Sequence, residues 1–239
     1  MRLLVLGDSL AFHGPVDAVG ARDARTWPWV AAHLLAAAGD EAMPEVDLVA
    51  RPGWTARDVW WAVTRDPVVW SVLIPRADAL VLAVGGMDAL PASLPSHWRE
   101  GISTLRPERL RRAVRRVYRR SHPALVRASA GRFRALPQRA TDHYLSQVVT
   151  GIRYYRPGLR VVILTPSPWR SADYPVRTGH PAAVAACHAW AARSGVEVAD
   201  VEDAVEAMHV RGDGNPDGLH WDWRTHQQVG ALVAARLRP

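Results

Sequence analysis

A chain of 239 residues that is 49% hydrophobic and 22% charged can bury one full core and is too apolar to remain disordered. Its apolar runs fall short of the roughly 20 residues that a membrane-spanning helix needs, and the single cysteine, Cys187, excludes an internal disulfide and a multi-cysteine metal site. The formal net charge is +7 and all 30 basic residues are arginine; the excess is local, since residues 99–139 carry +11 and the remainder −4.

Taken in chain order, Leu3–Leu6 reads as a first strand. The apolar stretch around it is too short for a secretory signal and lacks a small-residue cleavage site, so a cytoplasmic protein is expected. A helical pattern near Trp27–Ala38 leads to a strand at Val46–Ala50, then a helix near Thr55–Thr64 and a strand at Ala79–Val84. After an interruption come a helix near Tyr144–Tyr155, a strand at Val161–Leu164, a helix at Ala182–Ser194, a strand at Val196–Val198 and a helix at Trp223–Leu237. Short apolar runs alternating with amphipathic ones predict an α/β domain, flavodoxin-like, with a five-stranded, mostly parallel sheet and its sites at the carboxyl ends of the strands. Spacing leaves the order of the strands open. Trp60 and Trp61 read as core.

The interruption spans 91–138 and opens with Pro91 and Pro95. Pro107 suits the first turn of a helix, and Leu110, Val114, Val117 and Tyr118 follow at helical spacing with arginines on the other faces. We expect an amphipathic basic helix and then a looser stretch to Pro137, forming an insertion or lid within a single domain of 1–239. Its partners stay open at this point: an anionic small molecule, an acidic carrier protein, an anionic membrane surface, or water alone around an arginine-biased helix. Nucleic acid is the least favoured. Arg111, Arg112, Arg115 and Arg116 are the candidate ligands, because a guanidinium fork matches phosphate and carboxylate groups.

Chemistry gathers at two places. Gly7-Asp8-Ser9-Leu10 puts a serine just beyond the first strand. A serine is inert without a base, and the base should be a histidine oriented by a carboxylate. Asn215-Pro216-Asp217-Gly218-Leu219-His220-Trp221 supplies both, three residues apart. Each segment alone is also ordinary turn chemistry. Around them, Asp8 and Asp88 read as hydrogen-bonded scaffolding, and His13, Trp54 and Trp221 as either pocket or packing residues. His180 and His226 have no partner at metal-ligand spacing and read as structural. No phosphate-binding loop or dinucleotide fingerprint is present, and no metal is expected.

Together these segments resemble the SGNH (GDSL-type) hydrolase superfamily. Gly7–Leu10 matches its first motif, Gly53 its second, Gly85-Gly86-Met87-Asp88 its third, and Asp217 with His220 its last. The resemblance implies a three-layer sandwich with Ser9 as nucleophile, His220 as base and Asp217 as its orienting acid. It also implies an oxyanion hole from the N–H groups of Ser9, Gly53 and Gly86. Met87 departs from the pattern: the superfamily has an asparagine there, and losing such a donor costs about 3–4 kcal/mol. Methionine, flexible and apolar, could instead line an acyl pocket.

The flanks carry a narrower resemblance. Asp8–Pro15, Gly53–Ala62, Gly85–Pro91 and Gly214–Trp221 look like the actinobacterial octanoyltransferases that acylate diglucosylglycerate, in which methionine is the usual residue of the third motif. That resemblance implies transfer of an octanoyl group from a thioester (octanoyl-CoA or an acyl carrier) to a hydroxyl of diglucosylglycerate or glucosylglycerate, in methylglucose lipopolysaccharide biosynthesis, without a cofactor. The arginines would then meet the donor's phosphates or the acceptor's carboxylate. The alternatives are a cytoplasmic carbohydrate or lipid esterase and a non-catalytic binding protein.

Overall fold

Short, largely apolar runs form the five strands of the central sheet, and the three inner strands are buried on both faces. The computed structural model describes residues 1–39, 44–95, 98, 101–102 and 104–238. Its strands are β1 (Arg2–Gly7), β2 (Glu45–Ala50), β3 (Ala79–Ala83), β4 (Pro91–Ala92), β5 (Phe133–Arg134), β6 (Arg160–Leu164) and β7 (Glu197–Ala199). The longer helices are α1 (Trp27–Gly39), α2 (Ala56–Arg65), α3 (Glu108–Ala128), α4 (Gln138–Tyr155), α5 (His180–Ser194), α6 (Glu202–Arg211) and α7 (Trp223–Leu237). The main sheet has the order β2-β1-β3-β6-β7, all parallel.

Alternation along each strand divides the core in two. Leu4, Leu6, Leu80, Leu82, Val161 and Ile163 face one layer, with residues of α2, α4 and α5. Leu3, Val5, Val81, Val162 and Leu164 face the other, with residues of α1, α6 and α7. From β1 the chain crosses to β2 on one side and returns to β3 on the other. This reversal opens a crevice at the carboxyl ends of β1 and β3, where ligands of such sheets bind.

The elements depart from expectation in four places. Helix α4 begins at Gln138 rather than near Tyr144, because its polar first turn hides the start of the pattern. Helix α6 went unread, since it buries only Val205 and Met208 and so shows almost no apolar stripe. The stretch expected to be loose is helical as far as Ala128, with Pro123 inside the helix rather than ending it. Trp61 is a surface residue, 38% exposed, because α2 buries Ala56, Val59 and Val63 and Trp61 lies off that face. Arg57 and Arg65 stack on its ring at 5.0 and 4.9 Å.

The interruption leaves and rejoins the domain at one neck. Pro91 and Ala92 pair antiparallel with Arg134 and Phe133. The Ala135 N–H donates to the Leu90 carbonyl at 2.9 Å and the Leu136 N–H to the Asp88 carbonyl at 3.1 Å. Within this segment, residues 96–97, 99–100 and 103 lie outside the described residues. No helix among the described residues is long and apolar enough to cross a membrane.

Helices α1 and α7 approach closely at Gly230. A Cβ there would lie 2.6 Å from Val30 Cβ and 3.0 Å from the Trp27 carbonyl oxygen. Helix propensity favours alanine over glycine by about 1 kcal/mol, but overpacking a tight interface costs about 1–3 kcal/mol. Gly230→Ala should therefore lower the melting temperature. Gly151→Ala, whose new Cβ would meet Trp60 at an ordinary 3.7 Å, should leave it unchanged or raise it. Thermal denaturation of the two variants side by side checks this pair.

Candidate active site

Ser9 opens a short 3-10 turn, Ser9–Ala11, at the end of β1. The Asp8 carboxylate caps that turn by accepting the Leu10 N–H at 2.9 Å, which fixes where Ser9 points. The opposite wall comes from the turn before α7. There the Asp217 carboxylate accepts the N–H groups of Leu219, at 2.8 Å, and His220, at 3.1 Å. Gly218 lets this turn press against the loop after β6: it sits at φ +70°, and a Cβ there would lie 2.0 Å from the Arg170 carbonyl oxygen. The Arg170 N–H donates back to the Gly218 carbonyl at 2.9 Å.

The two walls meet as a relay. The His220 Nδ1–H donates to Asp217 Oδ2 at 2.6 Å, and the Ser9 hydroxyl donates to His220 Nε2 at 2.8 Å. These distances fit a base that takes the serine proton while the carboxylate holds its tautomer. Burial lowers the His220 pKa, and the adjacent Asp217 carboxylate works against that shift. Burial also opposes the Asp217 charge, but the N–H donors of Leu219 and His220 outweigh it and hold the carboxyl below its ordinary value.

His13 packs on the far side of the base. Its ring stacks on that of His220 with centroids 3.7 Å apart and planes 19° from parallel. The half-buried His13 ring is held by a 2.7 Å hydrogen bond between Nδ1 and the Gly14 carbonyl. Its own carbonyl accepts from Nε2 of the buried His226 at 3.0 Å, while His226 Nδ1 accepts the Trp27 N–H at 3.2 Å. That pair of partners requires the neutral ring, and burial takes the His226 pKa down to about 4. His180 is likewise buried, with Nε2 2.9 Å from the Pro166 carbonyl.

Beneath the site lie two buried carboxyls. Burial pushes Asp8 up to about 7, and the neighbouring Asp88 charge adds to the effect. Asp88 is pushed up to about 6 by burial, tempered by donation from the Ala56 N–H and the Thr141 hydroxyl. Asp8 also lines a slot at Ser9, whereas Asp88 lines neither of the two cavities there. Trp221, 1% exposed, is packed into the core, and its Nε1–H donates to Ser167 at 3.1 Å. Trp54 packs on the core beside α2 with Arg51 over its ring at 5.7 Å. Both tryptophans support the site from behind and line neither of the two cavities at Ser9.

Those cavities adjoin. A slot of about 30 Å³ at Ser9 and His220 is walled by Leu10, Gly86, Met87, Leu90, Trp169 and Leu219. A wider cavity of about 540 Å³ shares Met87 and Leu90 with it and runs past Gly53 to Tyr118, Arg119, His122 and Tyr174. The basic helix thus presents Arg119 to the cavity, whereas Arg111 and Arg112 lie 3.9 and 3.8 Å from Glu108, and Arg115 and Arg116 are exposed outside its lining. Sequence reading missed Trp169, Tyr174 and Arg119; only the i, i+4 spacing of Tyr118 and His122 hinted at a common face. Among the described residues no group of three or more His, Cys, Asp or Glu side chains could hold a metal ion. Burial pushes the Cys187 thiol up to about 12, which leaves it inert at neutral pH.

Comparison with known proteins places this geometry. A family model described as the GDSL-like Lipase/Acylhydrolase family matches residues 5–228. The diglucosylglycerate octanoyltransferase of Mycolicibacterium hassiacum is 41% identical over 236 residues, covering 98% of this chain and 94% of that protein. The enzyme of the same name from Mycobacterium tuberculosis is 39% identical, covering 98% and 91%. Solved structures share the fold at lower identity. A lipase/acylhydrolase from Enterococcus faecalis aligns with a TM-score of 0.65 at 18% identity, over 98% of this chain and 93% of that one. A carbohydrate acetylesterase from Sinorhizobium meliloti aligns at 0.57 and 13%, over 99% and 97%. With a family model spanning most of its length, and a serine, histidine and aspartate linked across its crevice, this chain is an enzyme of the GDSL-like lipase/acylhydrolase family.

Proposed function

We propose that the protein transfers an octanoyl group from a thioester to a hydroxyl of diglucosylglycerate or a close analogue, through an acyl-serine at Ser9. The observation that carries this reading is the Ser9–His220–Asp217 relay in a chain about 40% identical, nearly end to end, to two diglucosylglycerate octanoyltransferases. Ser9 Oγ attacks the thioester carbonyl as its proton passes to His220 Nε2. The C–S bond then breaks and the thiolate leaves with that proton. A sugar hydroxyl, losing its own proton to Nε2, attacks the acyl carbon, and Ser9 departs reprotonated.

Met87 cannot donate to the oxyanion, so this reading assigns the hole to backbone N–H groups. Ser9 and Gly86 each open a helical turn, where N–H groups have no intrahelical partner, and Gly53 lies in the turn before α2. Gly53 sits at φ +74°, a conformation that favours glycine, and a Cβ there would come no nearer than 3.9 Å to Met87. The thioether instead forms the shared wall of the two cavities. The slot at Ser9 is apolar on most sides, which suits an acyl group and keeps water from competing with the sugar. As it stands it is too small for an eight-carbon chain, so flexible lining residues such as Met87 and Leu219 must move to admit one.

Incubation with octanoyl-CoA and diglucosylglycerate should give a mono-octanoyl ester detectable by mass. Ser9→Ala should abolish the product while leaving the melting temperature near that of the wild type. Ester formation by the alanine variant would sink the assignment. Octanoate without ester would mark a hydrolase instead.

The pH profile tests the base. His220 must be neutral to accept the serine proton, so kcat/KM should fall as pH drops through its lowered pKa, below the ordinary 6.5. Asp217 stabilises the protonated ring, so Asp217→Asn should move this acid limb to still lower pH. The same variant should cut the rate by about 10³- to 10⁴-fold. Release of p-nitrophenol from p-nitrophenyl octanoate, followed against pH, reads both effects.

Met87→Asn should change the transfer rate by less than about tenfold if backbone donors suffice. A gain near the 10²- to 10³-fold worth of an oxyanion donor would show that the hole lacks one.

A further inference from the structure

The wider cavity holds what the chemistry at Ser9 does not use. Its volume of about 540 Å³ falls within the roughly 300–1,000 Å³ typical of small-molecule sites. One wall belongs to the domain, at Gly53 and Thr55, and the other to the basic helix, at Tyr118, Arg119 and His122. Tyr118, His122 and Tyr174 form an aromatic cluster there, with ring centroids 5.5 and 5.4 Å apart along the series. Arg119 and Asp173 also line the cavity, and neither side chain has an ion-pair or hydrogen-bond partner among the described residues.

An acyl tail is a poor occupant. It would set hydrocarbon beside a guanidinium and a carboxylate, with which it can make no hydrogen bond. A glycosylated hydroxy acid fits every part. Aromatic faces pack on sugar rings, a carboxylate such as Asp173 accepts sugar hydroxyls, and a guanidinium grips an acid in a two-pronged contact. The cavity meets the slot at Met87 and Leu90, so a sugar held in it lies beside the place where the acyl-serine would form.

Resting on the transferase reading above, we propose that this cavity is the acceptor subsite and that Arg119 binds the carboxylate of a glycosylated acid within it. The insertion helix then selects the acceptor, while the sheet domain performs the acyl chemistry.

The test keeps the donor free of phosphate by using p-nitrophenyl octanoate, which excludes a grip on the phosphates of CoA. Two acceptors are compared, glucosylglycerate and its neutral counterpart glucosylglycerol, in the wild type, Arg119→Gln, Arg119→Lys and Arg120→Gln. The readout is the ratio of kcat/KM for ester formation on the acidic and the neutral acceptor. The wild type should prefer the acid by about 10- to 100-fold, the usual worth of a hydrogen-bonded charge pair. Arg119→Gln should bring the ratio close to one through KM, Arg119→Lys should keep part of it, and Arg120→Gln should keep all of it. A ratio that survives Arg119→Gln, or falls as far with Arg120→Gln, overturns the assignment. So does a variant that reorders short and long acyl esters while keeping the acceptor ratio, since the cavity would then hold the tail. Ser9-dependent p-nitrophenol release with no ester on either acceptor defeats the transferase reading itself, and is thereby distinguished from failure at Arg119 alone.

Discussion

One buried carboxyl, Asp88, joins the segments that shape the active site. Its oxygens accept the Ala56 N–H at the start of α2 and the Thr141 hydroxyl in the first turn of α4. Its carbonyl accepts the Leu136 N–H at the neck of the insertion. The turn that carries Gly86 and Met87 is therefore tied to two helices and to the root of the basic segment. A carboxyl 2% exposed is costly to ionise, and these donors offset part of that cost. Asp8, equally buried nearby, is likewise pushed up by burial, and its carboxylate accepts the Leu10 N–H.

The chain ends cooperate across the crevice. Ser9 and His220 are separated by 211 residues and joined by a 2.8 Å hydrogen bond. Their alignment depends on contacts that run back and forth between the same two regions. His226 of α7 ties Trp27 to the His13 carbonyl, and the His13 ring lies flat on His220. Closely packed α1 and α7 hold that arrangement from below. Catalytic geometry here is a property of how the first and last elements of the sheet domain pack.

The three inner strands are legible because burial on both faces leaves an unbroken apolar run; the edge strands β2 and β7 are less buried, and all five lie within a residue or two of their expected bounds. Their order was not, since spacing carries no information on which neighbours pair. Helix α6 escaped because two buried side chains make no periodic signal. At the site, Ser9, Asp217 and His220 were named from motif spacing, and the structure brings all three together. The arginines were harder. Within Arg109–Arg120 the sequence is nearly uniform in charge, so composition pointed to the run while only the helix's placement distinguishes Arg119 from its neighbours. Tryptophans beside motifs were ambiguous for a different reason. Trp221 follows His220 directly, yet His220 is turned to the crevice while Trp221 is packed into the core.

The contact at Gly218 has a consequence for how such an enzyme can diverge. The turn bearing the acid and the base rests, backbone against backbone, on Arg170, and Arg170 directly follows Pro168 and Trp169, which wall the slot at Ser9. Side chains that wall the slot and the side chains linked to the Ser9 hydroxyl thus share one foundation. Enlarging the slot by shifting the loop after β6 would carry His220 with it. On the transferase reading, acyl selectivity and turnover would be coupled on that side of the site, whereas Met87 and Leu90, which also wall the slot, make no hydrogen bond to the relay.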